Sequence, residues 1–260
     1  MDLHLHGRRI LITGASSGIG LATATMLAGE GARLALCARD EPRLRAATAH
    51  LAKITDVVTA SCDVTHKPSV ERFVSDAVDR LGGLDSVVCN AGRSLMSTLD
   101  ETSDDEIRAE FDLKIFGALN VVRATRKALS SSDSGSIVIV NAILSRQPES
   151  RLAITAAARA GLLNLSRSLA SDLAAEHIRV NSVLLGLIDT GQWQRRYGDS
   201  DTELDFEEWS ADIAADRGIS LGRFGTAEEL AFPITTMLSP LSSYITGASL
   251  DVGGGVHRYV

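Results

Sequence analysis

Arg9-Ile10-Leu11-Ile12-Thr13-Gly14-Ala15-Ser16-Ser17-Gly18-Ile19-Gly20-Leu21-Ala22-Thr23-Ala24 is the stretch that decides the fold. Ile10 to Thr13 is a short apolar and β-branched run that stops at glycine, which reads as a buried strand. The residues from Leu21 to Ala28 contain no breaker and read as a helix. Between them, Gly14, Gly18 and Gly20 permit a tight turn and close approach of backbone to an anion, and the unpaired N–H groups opening the helix point towards it. A glycine triplet alone is a weak signal. With a strand before it and a helix after it, the turn predicts that Gly14, Ser16, Ser17, Gly18, Ile19 and Gly20 hold the pyrophosphate of a dinucleotide.

The same alternation continues along the chain. Strands are expected near 9–13, 33–37, 57–61, 86–89, 136–141, 179–184 and 249–252, with helices at about 18–30, 41–52, 67–81, 103–129, 153–176 and 227–238. This is the pattern of βαβ units feeding a parallel sheet buried on both faces, so the fold class is α/β, a Rossmann-type doubly wound seven-stranded sheet. Residues 1–260 are expected to form one domain, with a substrate-covering excursion at about 190–222.

The chain is 45% hydrophobic with a formal charge of −7, and residues 198–216 hold eight acids and no Lys or Arg. Such a surface does not suit nucleic acid or anionic lipid. No apolar segment approaches a membrane span and no apolar leader is apparent, so a cytoplasmic protein is expected. Cys37, Cys62 and Cys89 are odd in number and lack CxxC spacing, which suits reduced core thiols and no metal site.

Taken together, Thr13 to Gly20, Asp63-Val64, Asn90-Ala91-Gly92, Ile178-Arg179-Val180-Asn181, Gly222-Arg223, Tyr244-Ile245-Thr246-Gly247 and Gly253-Gly254-Gly255 resemble the short-chain dehydrogenases/reductases over nearly the whole chain. The resemblance implies that Asp63 bonds the adenine amine with Val64 against the ring. It places Asn90, Ala91 and Gly92 under the nicotinamide ribose, and Ile188 and Thr190 at the carboxamide. Asp63 capping a turn and Asn90 tying strands together are the structural alternatives. NAD-selective members carry an acid at the end of the second strand, where this chain has Ala38 followed by Arg39. A guanidinium suits a 2′-phosphate, so NADP is expected ahead of NAD. The alternative leaves Arg39 in solvent and gives the ribose to Asp40.

Aligned through 162–170, the family's Tyr-x-x-x-Lys falls on Thr155 and Arg159, its serine on Ala142 and its helix asparagine on Lys114. An aliphatic hydroxyl is a far weaker acid than a phenol, and arginine does not exchange protons, so the usual relay is absent. Asn141 or Ser145 are possible replacements for the lost serine. Burial next to Arg159 would depress the pKa of Lys114 and make it the best candidate acid. An ion pair with an acid such as Asp112 or Glu110, or a side chain reaching out to solvent, is the alternative. Arg93 at the pocket mouth would favour an anionic substrate if it does not face solvent.

Leu185 replaces a family proline. Trp193, Arg195, Arg196, Tyr197, Phe206 and Trp209 fall in the excursion, where aromatics either meet substrate or pack the lid. Three functions stay open: an NADP(H)-dependent oxidoreductase of a small carbonyl or hydroxyl compound, with Lys114, Tyr197 or a water as acid; a cofactor-binding sensor or partner subunit without turnover; and a lyase using the Lys114 amine. A homotetramer is expected from the small-residue face Ala153, Ala156, Ala157, Ala160 and Gly161.

Overall fold

A computed structural model describes residues 1–259. Seven parallel strands, β1 (Arg9–Thr13), β2 (Arg33–Ala38), β3 (Val57–Ser61), β4 (Ser86–Cys89), β5 (Gly135–Ala142), β6 (Ile178–Leu185) and β7 (Ser249–Val252), form one sheet in the order β3-β2-β1-β4-β5-β6-β7. The direction of winding reverses between β1 and β4, the topological switch point where ligands bind outside the carboxyl ends of strands.

Helices cover both faces, as continuously apolar strands require. α1 (Gly18–Gly29), α2 (Glu41–Thr48) and α9 (Ala227–Leu238) enclose one core, in which Leu27, Leu44 and Ile234 pack on Ile10, Leu34 and Leu36. On the other face, α3 (Lys67–Leu81), α5 (Gly117–Ser130) and α6 (Ala153–Leu173) bring Phe73, Val121 and Leu162 against Leu11, Val87 and Ile139.

Two segments depart from the sequence reading. The helix expected over 103–129 is broken: α4 (Asp104–Phe111) passes through a π-helical turn at Asp112–Phe116 before α5. Such wide turns concentrate at functional positions because the additional residue re-aims the side chains around it. Here the turn holds Lys114 in the interior with only 4% of its surface exposed. Gly117 follows the turn, where a Cβ would stand 3.0 Å from Val64 Cγ2. The excursion at 190–222 is also more regular than expected, with α7 (Gly191–Gly198) and α8 (Phe206–Arg217). The start of α8 is set by a capping box in which Asp205 and Glu208 each bond the other's backbone N–H.

Candidate active site

A cleft of about 740 Å³ opens at the carboxyl ends of β1, β2, β4, β5 and β6. Of the residues singled out from the sequence, Gly14, Ser16, Ser17, Gly18, Ile19, Arg39, Asp63, Val64, Asn90, Ala91, Gly92, Lys114, Ala142, Arg159, Ile188 and Thr190 line it, whereas Gly20 and Thr155 do not.

The glycine turn is shaped by contacts that exclude a side chain. Gly14 and Gly18 have φ of +69° and +52°, the left-handed region natural to glycine. Gly20 acts behind the cleft wall, since a Cβ there would stand 2.3 Å from the Gly14 carbonyl oxygen. Ser17 begins α1 in extended conformation without capping it through its hydroxyl, so that side chain leaves the first N–H groups of the helix unclaimed. Asn90 ties β4 to this turn: its Nδ2 donates to the carbonyls of Thr13 at 3.0 Å and Gly14 at 3.1 Å. The Thr13 hydroxyl in turn accepts the N–H groups of Asn90 and Ala91.

At the end of β2, the Asp40 carboxylate is occupied as the cap of α2, accepting the Arg43 N–H at 3.0 Å. Arg39 is exposed along the cleft edge without an ion pair among the described residues, and Arg43 lines the same wall. Arg43 escaped the sequence reading. Its signal was its position in the first turn of a helix capped by Asp40, four residues after Arg39. Burial alone would raise the Asp63 carboxyl, but hydrogen bonds from the Thr65 hydroxyl and N–H, with the nearby Arg39 charge, hold it below the usual range. Both bonds reach Oδ1, so Asp63 caps a turn while its other oxygen remains for a ligand.

The other half of the cleft is built from side chains of α4, the π turn, β5 and α6. Lys114 Nζ donates to Glu110 Oε1 at 2.9 Å and to the Arg93 carbonyl at 2.5 Å. Glu110 is therefore its partner, not Asp112. Burial, then the positive charge of Arg159, push the Lys114 ammonium down to about 8, with Glu110 opposing the shift. Burial lowers Arg159 to about 10, which leaves it cationic at neutral pH, and its Nε is enclosed without a partner.

Thr155 is fully buried and turned away from the cleft. Its hydroxyl lies 2.6 Å from Glu110 Oε1 and 3.0 Å from the Leu95 carbonyl, and accepts the Leu95 N–H. The hydroxyl thus secures Glu110 and the loop after β4. The replacements considered for the missing serine are also excluded. Asn141 Oδ1 accepts the Ala142 N–H at 2.9 Å while its Nδ2 donates to the Arg159 carbonyl at 3.0 Å. Ser145 lies outside the cleft lining with its hydroxyl enclosed.

Over this half lies the lid. Trp193 lines the cleft and rests on Phe224, with ring centroids 4.8 Å apart. Trp209 packs behind it against Trp193, Tyr197 and Phe206. Tyr197 is not a candidate acid: its hydroxyl donates to the Leu204 carbonyl at 3.0 Å and it does not line the cleft.

The family profile for enoyl-(acyl carrier protein) reductases of the short-chain dehydrogenase type matches residues 14–257. The chain belongs to the short-chain dehydrogenase/reductase family. It is 41% identical to a short-chain oxidoreductase of Pseudomonas aeruginosa, described as containing an atypical catalytic center, whose apo structure superposes with a TM-score of 0.95 over 98% of this chain and 99% of that one. The NADPH-bound structure of the same oxidoreductase gives 0.93 over the same shares, at 40% identity. L-sorbose reductase of Gluconobacter frateurii, solved with NADPH and L-sorbose, is 30% identical over the whole of both chains with a TM-score of 0.95. Glucose 1-dehydrogenase of Gluconobacter oxydans is 31% identical over 97% of this chain and 93% of its own.

The chain keeps the family's glycine turn, Asp63-Val64 and Asn90-Ala91-Gly92 at one end of the cleft, and departs at all four positions on which the family's Tyr-x-x-x-Lys, serine and asparagine fall. Lys114 is the one of those four whose side chain both reaches the cleft and exchanges protons near neutrality.

Proposed function

We propose that the protein is an NADP(H)-dependent oxidoreductase that interconverts a small carbonyl compound and its alcohol, with Lys114 as the proton donor to the carbonyl oxygen. The observation that carries this reading is the Lys114 ammonium at the cleft wall, desolvated and beside Arg159, with its affinity for a proton brought to about 8. A general acid works best when its pKa lies near the operating pH.

The residues present fit the cofactor. Arg39 and Arg43, on the cleft wall beyond β2, would take a 2′-phosphate, and the Asp63 oxygen not bonded by Thr65 would take the adenine amine. The amide of Asn90 is spent on the β1 turn, which leaves Ala91 and Gly92 as backbone under the ribose. Arg159, whose Nε has no partner, would hold ribose hydroxyls, and Ile188 and Thr190 would meet the carboxamide. When bound, NADPH supplies a hydride to the carbonyl carbon. Lys114 gives its proton to the developing alkoxide and recovers one from water in the cleft. Glu110, fixed by Thr155, keeps the ammonium in place, and the Trp193 side of the lid limits water. The test is NADPH oxidation followed by absorbance across a panel of ketones and aldehydes, with loss of turnover in the folded double variant Lys114→Met/Glu110→Gln.

A cofactor-binding protein without turnover is the second reading, favoured by the Glu110 partner that engages Lys114 and by Ala142, which offers a substrate no hydrogen bond. The lyase reading is weakened by that same ion pair, because a nucleophilic amine must be unprotonated. For assembly, a homotetramer is supported by exposed Ala153, Ala157, Ala160 and Gly161 on α6 near exposed Phe111 and Phe116, and by exposed Phe232, Tyr244 and Leu250 around α9 and β7. Ala156 is buried within the chain and drops out of that face. Among the described residues no helix is long and apolar enough to cross a membrane. A cytoplasmic location accords with the three buried free thiols.

A further inference from the structure

The lid side of the cleft carries more positive charge than the cofactor reading uses. Arg195 and Arg196 of α7 line it, Arg93 lines the cleft from the loop after β4, Arg93 and Arg195 are exposed, and none of the three forms an ion pair among the described residues. Arg217 lines the same region but is already engaged by Glu149. Arg196 is the informative one. It is half-buried, its guanidinium carbon stands 4.6 Å from the centroid of the Trp193 ring, and it makes no hydrogen bond to the protein. Eight acids follow within residues 198–216, yet none pairs with it. Two of them, Asp205 and Glu208, are taken by the cap of α8.

Removing a cation from water without giving it a counter-ion is unfavourable, and stacking on tryptophan offsets only part of the loss. The Arg196 guanidinium over the indole of Trp193 keeps N–H donors that no protein acceptor takes, in the fork that matches a carboxylate or phosphate. Arg39 and Arg43 already serve the far, nucleotide end, so this cation is left for the substrate.

Resting on the reductase reading above, we propose that the substrate carries an anionic group, carboxylate or phosphate, in addition to its carbonyl, and that Arg196 grips this group on the face of Trp193. Arg93 and Arg195 add attractive field at the mouth. Trp193 keeps the guanidinium from folding back into solvent and excludes water from the pair.

The experiment uses the full-length protein saturated with NADP+, so that an oxo compound binds without turning over. Pyruvate, 2-oxohexanoate and phenylpyruvate are each titrated beside their methyl esters, and dihydroxyacetone phosphate beside dihydroxyacetone, by calorimetry and tryptophan fluorescence. At least one anion is expected to bind about 30-fold more tightly than its neutral partner, a span of about 2 kcal/mol. The pair that shows it distinguishes carboxylate from phosphate. Arg196→Gln removes most of that preference, Arg196→Lys restores part of it, and NADP+ affinity stays constant in both. Equal binding of anion and neutral partner in every pair, no binding by any of them, or an undiminished preference in Arg196→Gln overturns the proposal. Because this readout needs no hydride transfer, its failure is distinct from failure of the reductase reading, which is tested by NADPH oxidation in the Lys114 variant.

Discussion

The two ends of the cleft are built under different constraints. At the nucleotide end the decisive features are backbone: positive φ at Gly14 and Gly18, and a Gly20 position where any Cβ would meet a carbonyl oxygen at 2.3 Å. At the other end the chemistry on offer is decided by side chains of α4, the π turn and α6, with the π turn aiming Lys114. A backbone constraint leaves one residue type, whereas a side-chain constraint leaves several chemistries. The family pattern therefore survives at one end and is rewritten at the other.

The most severe way to break this contrast is at Gly20. Gly20→Val is expected to weaken NADPH binding by more than about 100-fold, or about 2.7 kcal/mol, because the turn cannot yield without moving Gly14. Near-native affinity by titration would show the backbone end to be more tolerant than claimed.

Next in size is the acid itself. Lys114→Met alone strands the buried Glu110 carboxylate, which costs about 3–5 kcal/mol of stability. The comparison is therefore made with Lys114→Met/Glu110→Gln, which retains the fold but lacks the proton. Its kcat for carbonyl reduction should fall about 10²- to 10⁴-fold with NADPH affinity unchanged. Turnover that survives in a folded double variant would remove Lys114 from the chemistry.

Arg39→Ala and Arg43→Ala sharpen the nucleotide end. Each should reduce the preference for NADPH over NADH by about 1.5–3 kcal/mol, since each removes a charged hydrogen bond, while NADH affinity stays level. Equal calorimetric affinities of the natural protein for the two cofactors would contradict the assignment.

The smallest effect is expected at Thr155. Thr155→Val should lower stability to denaturant by about 1–2 kcal/mol through loss of the bonds to Glu110 and the Leu95 loop, with kcat near that of the natural protein. A large kinetic loss without a stability change would place the hydroxyl in the reaction.

How much was legible in the sequence follows the same division. The strand, glycine and helix order around Gly14 announces the sheet and the nucleotide end because it depends on local backbone rules. The π turn at Asp112–Phe116 was not legible: its periodicity differs from an ordinary helix by one residue, and that residue decides where Lys114 points. Thr155 shares its helix position with the family tyrosine, but its short side chain finds Glu110 and Leu95 before it reaches the cleft. Arg43 and Arg196 were both visible as residues. Their use depends on which acids engage them, and that is settled by the cap at Asp40 and by the packing of the lid.

The central claim is that Lys114 donates the proton, and the pH dependence of single-turnover NADPH oxidation tests it most directly. Lys114 is held below the ordinary lysine value, so in the folded protein it loses its proton near pH 8, whereas an ordinary lysine stays charged to about 10.4. The reduction rate should therefore be level below that point and fall tenfold per pH unit above it, with the oxidation direction showing the opposite limb. In Lys114→Met/Glu110→Gln this inflection should vanish from the residual rate. An inflection near 8 that persists in the double variant, or a reduction rate independent of pH between 7 and 10 in the natural protein, would contradict the account.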